Sequence, residues 1–132
     1  MAPFTFMKSI APAQVTLQDG KPYAPIFGDI YATRSGAYGQ ACQVFLAQGE
    51  IVRRWARRER FTILENGFGL GTNFLATLKA WREDPNRCKH LHYISIERYP
   101  VSATQLKDFA APEVKELATE LSVQWPPRIP GF

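Results

Sequence analysis

The sequence has little of what stabilises small disulfide-rich or metal-bound folds. It contains only two cysteines, Cys42 and Cys88, and two histidines among 132 residues. Two cysteines form neither a disulfide framework nor a structural zinc site, so we expect one buried and one exposed free thiol. His90 and His92 stand near a strand start without further ligands, and we predict no metal centre.

Long apolar runs are also missing. No segment approaches the length needed to cross a membrane, and the first residues show no signal-peptide pattern. By elimination we predict a cytoplasmic location and no membrane partner. The hydrophobic fraction of 45% nevertheless suits one small globular domain with a core, which excludes global disorder.

The sequence has only a small excess of positive charge. Sixteen lysines and arginines exceed twelve acidic residues by only four. This bias is compatible with an RNA partner but is shared by many proteins that bind none. The arginines concentrate in one stretch, where they form either a solvated helix face or contacts to nucleic-acid phosphates. These residues are Arg53, Arg54, Arg57, Arg58 and Arg60.

Turn and break signals divide the chain in two. Residues 1–50 carry a hairpin signal at Asp19-Gly20 and a helical pattern from about Ala37 to Gln48, and we assign them to a β-rich N-terminal extension. Residues 51–132 show a succession of strands and helices that predicts the start of a doubly wound α/β sheet. The elements expected there are a helix from Ile51 to Arg58, a strand over Phe61–Leu64, a helix from Thr72 to Asp84, a strand over Leu91–Ile96 and a helix beginning at Pro100.

A glycine-rich loop, Glu65-Asn66-Gly67-Phe68-Gly69-Leu70-Gly71, joins the first of these strands to its helix. Glycines let the backbone turn sharply and approach a ligand, and the helix N-terminus supplies free N–H groups. A dinucleotide fingerprint would need a further glycine where Thr72 or Phe74 stands. The glycine spacing therefore argues against a dinucleotide-dependent oxidoreductase.

Two carboxylates accompany the loop. Glu65 precedes the first glycine, where a carboxylate can hold an ammonium group and would repel a phosphate. Glu97 follows the next strand, where a carboxylate can accept hydrogen bonds from ribose hydroxyls. This pair favours S-adenosylmethionine as the ligand; the alternatives are a structural glycine turn and a solvated acid at Glu97. Asn73 either caps the helix or touches the ligand.

These segments resemble a known family, the methyltransferase domain of MnmC, a tRNA 5-methylaminomethyl-2-thiouridine biosynthesis protein. The glycine loop continues into Thr72-Asn73-Phe74-Leu75, and the whole segment from Glu65 to Leu75 is similar to the family signature Glu-x-Gly-Phe-Gly-x-Gly-x-Asn-Phe-Leu. The resemblance extends from about Val15 to the end of the chain in the correct order. Further matching segments are Phe27–Tyr31, Val44–Leu46, Leu91–Pro100, Trp125-Pro126 and Pro130-Gly131.

The resemblance implies the N-terminal part of a Rossmann-type S-adenosylmethionine-dependent methyltransferase, with residues 51–132 as its first half. It implies methyl transfer to the aminomethyl group of a modified wobble uridine in tRNA, with an FAD-dependent oxidase as a fused or separate partner. We assign no catalytic base. The cofactor-binding residues that it implies are Glu65, Gly67, Phe68, Gly69, Gly71, Asn73 and Glu97, and Asp29 and Tyr31 either face the site or serve the structure.

The family continues past the last matching segment into an Asp-Gly-Phe-x-Pro stretch that lines its active site. Nothing similar occurs in these 132 residues, so we expect a chain truncated on its C-terminal side. Two alternatives to a working transferase stay open. One is an inactive fragment that binds cofactor, and the other is a component linked to the oxidoreductase of the bifunctional enzyme.

Overall fold

A computed structural model describes residues 10–18, 21–24, 29–30 and 36–127. The fold is mixed α/β, as the sequence pattern predicts. The sequence predictions for Tyr31 and for residues 128–132 lie outside the described residues. The elements, in chain order, are β1 (Thr16–Gln18), β2 (Lys21–Ala24), β3 (Asp29–Ile30), α1 (Ala37–Gln40), a π-helix (Ala41–Ala47), α2 (Ile51–Trp55), β4 (Arg60–Asn66), α3 (Thr72–Glu83), β5 (His90–Ile96), α4 (Ala103–Asp108), a 3₁₀ turn (Pro112–Val114) and α5 (Lys115–Val123).

The first three strands form an antiparallel sheet with β2 in the middle. Gln18 lies opposite Lys21, so β1 and β2 are joined by the two residues that were expected to form a turn. The predicted hairpin is thereby confirmed, although Asp19 and Gly20 themselves lie outside the described residues.

The first helical segment is continuous but changes its hydrogen-bonding pattern. α1 passes directly into the π-helix, whose buried residues are Ala41 and Leu46. π-Helical stretches are rare and are frequently found at functional sites. Apolar spacings of three and four residues predict the helix correctly but do not distinguish this geometry from an α-helix.

The second helix is shorter than predicted. α2 ends at Trp55 rather than Arg58, because Ala56 leaves the helical region with a ψ of 126° and Arg57 follows with a left-handed φ of 57°. Trp55 is fully buried, and its indole Nε1 donates a hydrogen bond of 2.7 Å to Asp84 at the end of α3. This contact fixes α2 against the helix that follows the glycine loop.

β4 and β5 form a parallel pair connected through α3. Phe61, Ile63 and Glu65 of β4 are buried while the residues between them are exposed. Because side chains of a strand alternate between faces, one face of this sheet packs against the helices. The opposite face leaves Leu64 69% exposed and Ile96 62% exposed.

The helix predicted at Pro100 begins later than expected. α4 starts after Ser102, not at Pro100, because Ser102 and Gln105 form a reciprocal capping box. Pro100 instead accepts a hydrogen bond of 3.2 Å from the backbone of Ala13, and the Gln105 amide donates to the Ala13 carbonyl. The N-terminal segment is thereby attached to the start of α4.

Among the residues that the structure describes, no helix combines the length and apolar character that a membrane span requires.

The two faces of β4 should respond differently to truncation. We expect Ile63→Ala, at a side chain only 6% exposed, to lower the free energy of unfolding by about 2–5 kcal/mol. Leu64→Ala, on the outer face, should change it by about 0.5 kcal/mol or less. Urea unfolding of both variants provides the measurement, and equal losses would contradict an uncovered outer face.

Candidate cofactor site

The glycine loop between β4 and α3 has an unusual backbone. Gly67, Gly69 and Gly71 all have positive φ angles, of 90°, 57° and 75°. A Cβ atom at Gly71 would lie 2.7 Å from the ring of Phe68, whereas one at Gly67 would meet nothing within 4 Å. Gly71 is therefore required by packing as well as by conformation, and Gly67 faces open space that a ligand can occupy.

Glu65 is a buried carboxylate beneath the loop, 6% exposed. One oxygen, Oε2, accepts a hydrogen bond of 3.0 Å from the Asn73 amide, and Oε1 accepts one of 3.0 Å from the Ser95 hydroxyl. Both donors are neutral, and Glu65 forms no ion pair within the described part of the chain. Because a buried charge is costly without a compensating partner, this arrangement favours a cationic ligand group.

Asn73 does not cap α3. The N-cap position belongs to Gly71, and no side chain provides a capping hydrogen bond. The side chain of Asn73 instead turns back toward Glu65 and orients its carboxylate. The capping alternative is therefore wrong, and contact of Asn73 with a ligand stays a prediction.

Glu97 joins the loop to the end of β5. Its Oε2 accepts a hydrogen bond of 3.0 Å from the Gly69 N–H, and its Oε1 accepts one of 2.9 Å from the Tyr99 N–H. A second bond across the same gap runs from the Gly67 N–H to the Ile96 carbonyl, at 2.8 Å. Glu97 is thus an ordered, partly buried group rather than a freely solvated acid. Each carboxylate oxygen can still accept another hydrogen bond.

Tyr93 and Ser95 are site residues that the sequence reasoning missed. The register pairs Glu65 with Ser95, and residues two apart on a strand share a face, so Tyr93 and Ser95 lie on one face of β5. Glu97 directly follows the last residue of that strand. The Tyr93 hydroxyl is buried without a hydrogen-bond partner among the described residues. Burial and the neighbouring Glu65 carboxylate raise the pKa of Tyr93, so its hydroxyl stays protonated.

Phe68 projects its ring into an aromatic cluster. The ring centroid lies 5.5 Å from that of Trp125 and 6.1 Å from that of Phe74. Trp125 is anchored in turn, because its Nε1 donates to the Val101 carbonyl at 2.9 Å. These contacts fix the position of Phe68 and so support the loop. Contact between Phe68 and a cofactor stays a prediction.

Cavities lie on both sides of the loop. One of about 250 Å³ separates it from the π-helix and is lined by Gln40, Val44 and Asn73. Another of about 330 Å³ lies along β5, beside Ser95 and Glu97. An extended ligand crossing the loop could place one end near Asn73 and the other near Glu97.

The two site residues proposed from the N-terminal extension stay untested. Asp29 lies in β3, with its backbone opposite Ala24. Tyr31 lies outside the described residues, so its expected position near the cofactor stays a prediction.

Comparison with known proteins places the chain among its relatives. No protein-family model matches it. It is 44% identical over 128 residues to the tRNA 5-methylaminomethyl-2-thiouridine biosynthesis bifunctional protein MnmC of Thiobacillus denitrificans. It is 47% identical over 126 residues to the protein of the same name from Aromatoleum aromaticum. The chain is a relative of MnmC. The family resemblance carried by the sequence motifs is thus confirmed.

The similarity covers most of this chain but little of the MnmC relatives. It includes 96% and 93% of the chain and only 21% and 20% of the two proteins, so the chain spans about a fifth of their length. A crystal structure of MNMC2 from Aquifex aeolicus matches 88% of this chain and 38% of its own, with a TM-score of 0.62 and 21% identity. The α/β fold is therefore shared with that protein.

Packing of Phe68 on Gly71 can be tested by substitution. We expect Gly71→Ala to destabilise the protein by about 2–5 kcal/mol, since the left-handed φ costs about 1–2 kcal/mol and the overlap with the ring adds about 1–3 kcal/mol. Gly67→Ala is the matched control and should show only the conformational cost. The free energy of unfolding in urea measures both.

The combined variant Phe68→Ala with Gly71→Ala isolates the contact. Removal of the ring should make the Gly71→Ala change less harmful than it is in the parent protein. Strictly additive losses would show that the ring does not limit position 71.

Proposed function

We propose that this chain binds S-adenosylmethionine and serves methyl transfer to the aminomethyl group of a modified wobble uridine in tRNA, in the cytoplasm. The observation that carries the proposal is Glu65, a buried carboxylate held by neutral donors beside an open glycine loop. S-adenosylmethionine is a cation-bearing nucleoside, and its amino-acid ammonium group suits such a carboxylate.

Asn73 and Ser95 prepare Glu65 for that role. Each occupies one carboxylate oxygen through a single hydrogen bond, which fixes the orientation of the group and leaves acceptor capacity on both atoms. A ligand phosphate would meet this negative charge at the loop, where a dinucleotide places its pyrophosphate. The same charge that favours an ammonium group therefore disfavours a dinucleotide.

Glu97 supports the nucleoside half of the proposal. Its oxygens are positioned by the Gly69 and Tyr99 backbone N–H groups, and both can accept a further bond from a vicinal pair of ribose hydroxyls. The cavity beside Glu97 offers room for the nucleoside, and the cavity beside Asn73 offers room for the amino-acid end.

When bound, the cofactor would supply an electrophilic methyl group, to whose carbon a neutral amine would bond as the carbon–sulfur bond breaks and the neutral thioether leaves. The contribution of this chain is to bind and orient: Glu65 and Glu97 would hold the two ends of the cofactor across the loop. No described residue is assigned as the base that removes the proton from the methylated amine.

The proposed substrate is supported by the relatives, which are named for tRNA 5-methylaminomethyl-2-thiouridine biosynthesis. An FAD-dependent oxidase, fused or separate, is the partner that we propose for this pathway. We propose residues 51–132 as the first half of a Rossmann-type methyltransferase domain and residues 1–50 as its N-terminal extension.

Calorimetric titration tests whether the chain binds S-adenosylmethionine. We expect the wild-type chain to bind S-adenosylmethionine, and Glu65→Gln to weaken binding at least about tenfold, because a hydrogen bond to a charged group is worth about 1.5–3 kcal/mol. The same substitution should leave the unliganded protein equally or more stable, since it removes a buried charge while Ser95 and Asn73 can still bond the amide.

Glu59→Gln is the matched control, because Glu59 is exposed and pairs with Lys89 far from the loop. It should leave cofactor affinity unchanged. A folded wild-type chain that binds no S-adenosylmethionine, or binds NAD more tightly, would refute the proposal. Binding without methyl transfer to tRNA would favour the alternative of a cofactor-binding fragment.

A further inference from the structure

The charge of this chain is concentrated at one place. The stretch from α2 to the first residue of β4 and the loop before β5 carry seven cationic side chains, here called the basic surface: Arg53, Arg54, Arg57, Arg58, Arg60, Arg87 and Lys89. Three carboxylates lie in the same stretches, Glu50, Glu59 and Asp84. The difference of four equals the net charge of the whole chain, so the remaining nine cations and nine carboxylates balance.

Backbone hydrogen bonds join the two loops into one surface. The Arg57 N–H donates to the Asn86 carbonyl at 2.8 Å, and the Lys89 N–H donates to the Arg58 carbonyl at 3.1 Å. Arg60 lies opposite His90 in the strand register, at the first residues of β4 and β5. Charges that are some thirty positions apart in the sequence are therefore brought together by the fold.

Most of these charges have no carboxylate partner. Arg53 pairs with Glu50, and Lys89 pairs with Glu59 at 2.8 Å. Within the described residues, the other five arginines form no ion pair. A merely solvated helix face would more commonly interleave both signs along its length.

Three of the five arginines lie over aromatic rings. Arg54 and Arg58 lie 5.6 Å and 6.0 Å from the centroid of Phe61, and Arg87 lies 4.7 Å from that of Trp81. Such contacts engage the flat face of a guanidinium and leave N–H groups at its edge for phosphate oxygens. In Arg87 one of these groups, on Nη1, donates to the Arg82 carbonyl at 2.9 Å, and the others remain.

Arg57 stands at a position that favours glycine. Its φ of 57° is left-handed, a conformation that costs a side-chain-bearing residue free energy and that glycine adopts freely. An arginine held in this conformation at the centre of a cationic surface is the kind of local strain that accompanies functional residues.

We propose that the basic surface binds the phosphate backbone of the RNA substrate; the inference rests on the proposed function for its choice of polyanion. The surface lies at the amino ends of the strands, and the glycine loop lies at their carboxyl ends. The seven residues of β4 separate the two by roughly 20 Å. The surface therefore anchors RNA away from the nucleotide that would react.

Fluorescence anisotropy with a labelled tRNA transcript, across a series of salt concentrations, tests this anchor. We expect the double variant Arg57→Gln and Arg60→Gln to weaken binding at low salt. It should also reduce the slope of log K against log salt by about two, one for each lost phosphate contact. An unrelated RNA hairpin should lose the same factor, because phosphate contacts do not read sequence.

The double variant Lys107→Gln and Lys115→Gln is the matched control, because both lysines are exposed on α4 and α5 and the net charge changes equally. It should leave the slope unchanged. Arg57→Gly separates binding from folding: its melting temperature should be equal to or higher than that of the parent, while its RNA affinity falls. Equal slopes for the two double variants, or tighter binding of anionic phosphatidylserine vesicles than of RNA, would overturn the inference.

Titration of the Arg57→Gln and Arg60→Gln variant with S-adenosylmethionine distinguishes this inference from the proposed function. Cofactor affinity should equal that of the wild type. A chain that loses RNA in this variant but never binds S-adenosylmethionine would support the basic surface and refute the cofactor proposal. If the chain binds the cofactor and the variant leaves RNA binding unchanged, the cofactor proposal is supported and the basic surface is refuted as an RNA-binding site.

Discussion

The pair of hydrogen bonds to the Glu65 carboxylate connects every part of the βαβ unit. Glu65 belongs to β4, Asn73 to the first turn of α3 and Ser95 to β5. A slip of one residue between the strands would turn Ser95 to the outer face and leave the buried charge with a single donor. The register of the sheet, the start of α3 and the polarity of the site are therefore set together.

The glycine loop that follows this carboxylate is held by two sets of contacts. The ring of Phe68 packs against Trp125, Phe74 and Gly71. The Glu97 carboxylate accepts a hydrogen bond from the Gly69 N–H. A loop fixed in this way needs little ordering when a ligand binds, which lowers the entropic cost of association. Trp125, far along the chain, thus belongs to the support of the site.

Local patterns in the sequence predict the site only in part. The glycine loop, Glu65 and Glu97 are recognisable because spacing and strand ends are local properties. The contact between Glu65 and Ser95 depends on the strand register, which tertiary packing determines. The predicted helix start at Pro100 was wrong although Ser102 and Gln105 carried the capping signal. The end of α2 could not be foreseen, because nothing local indicates that Ala56 would leave the helix or that Arg57 would follow with a positive φ.

The parallel sheet also separates charges of opposite sign. Glu65 and Glu97 lie at the carboxyl ends of the strands, while the unpaired arginines lie at the amino ends. The two ends are separated by about two Debye lengths at physiological ionic strength, so they act nearly independently. At the carboxyl end the exposed Arg98 stands directly beside Glu97, so the charge there is mixed. Under the proposed function, RNA phosphates would be held away from the cofactor loop.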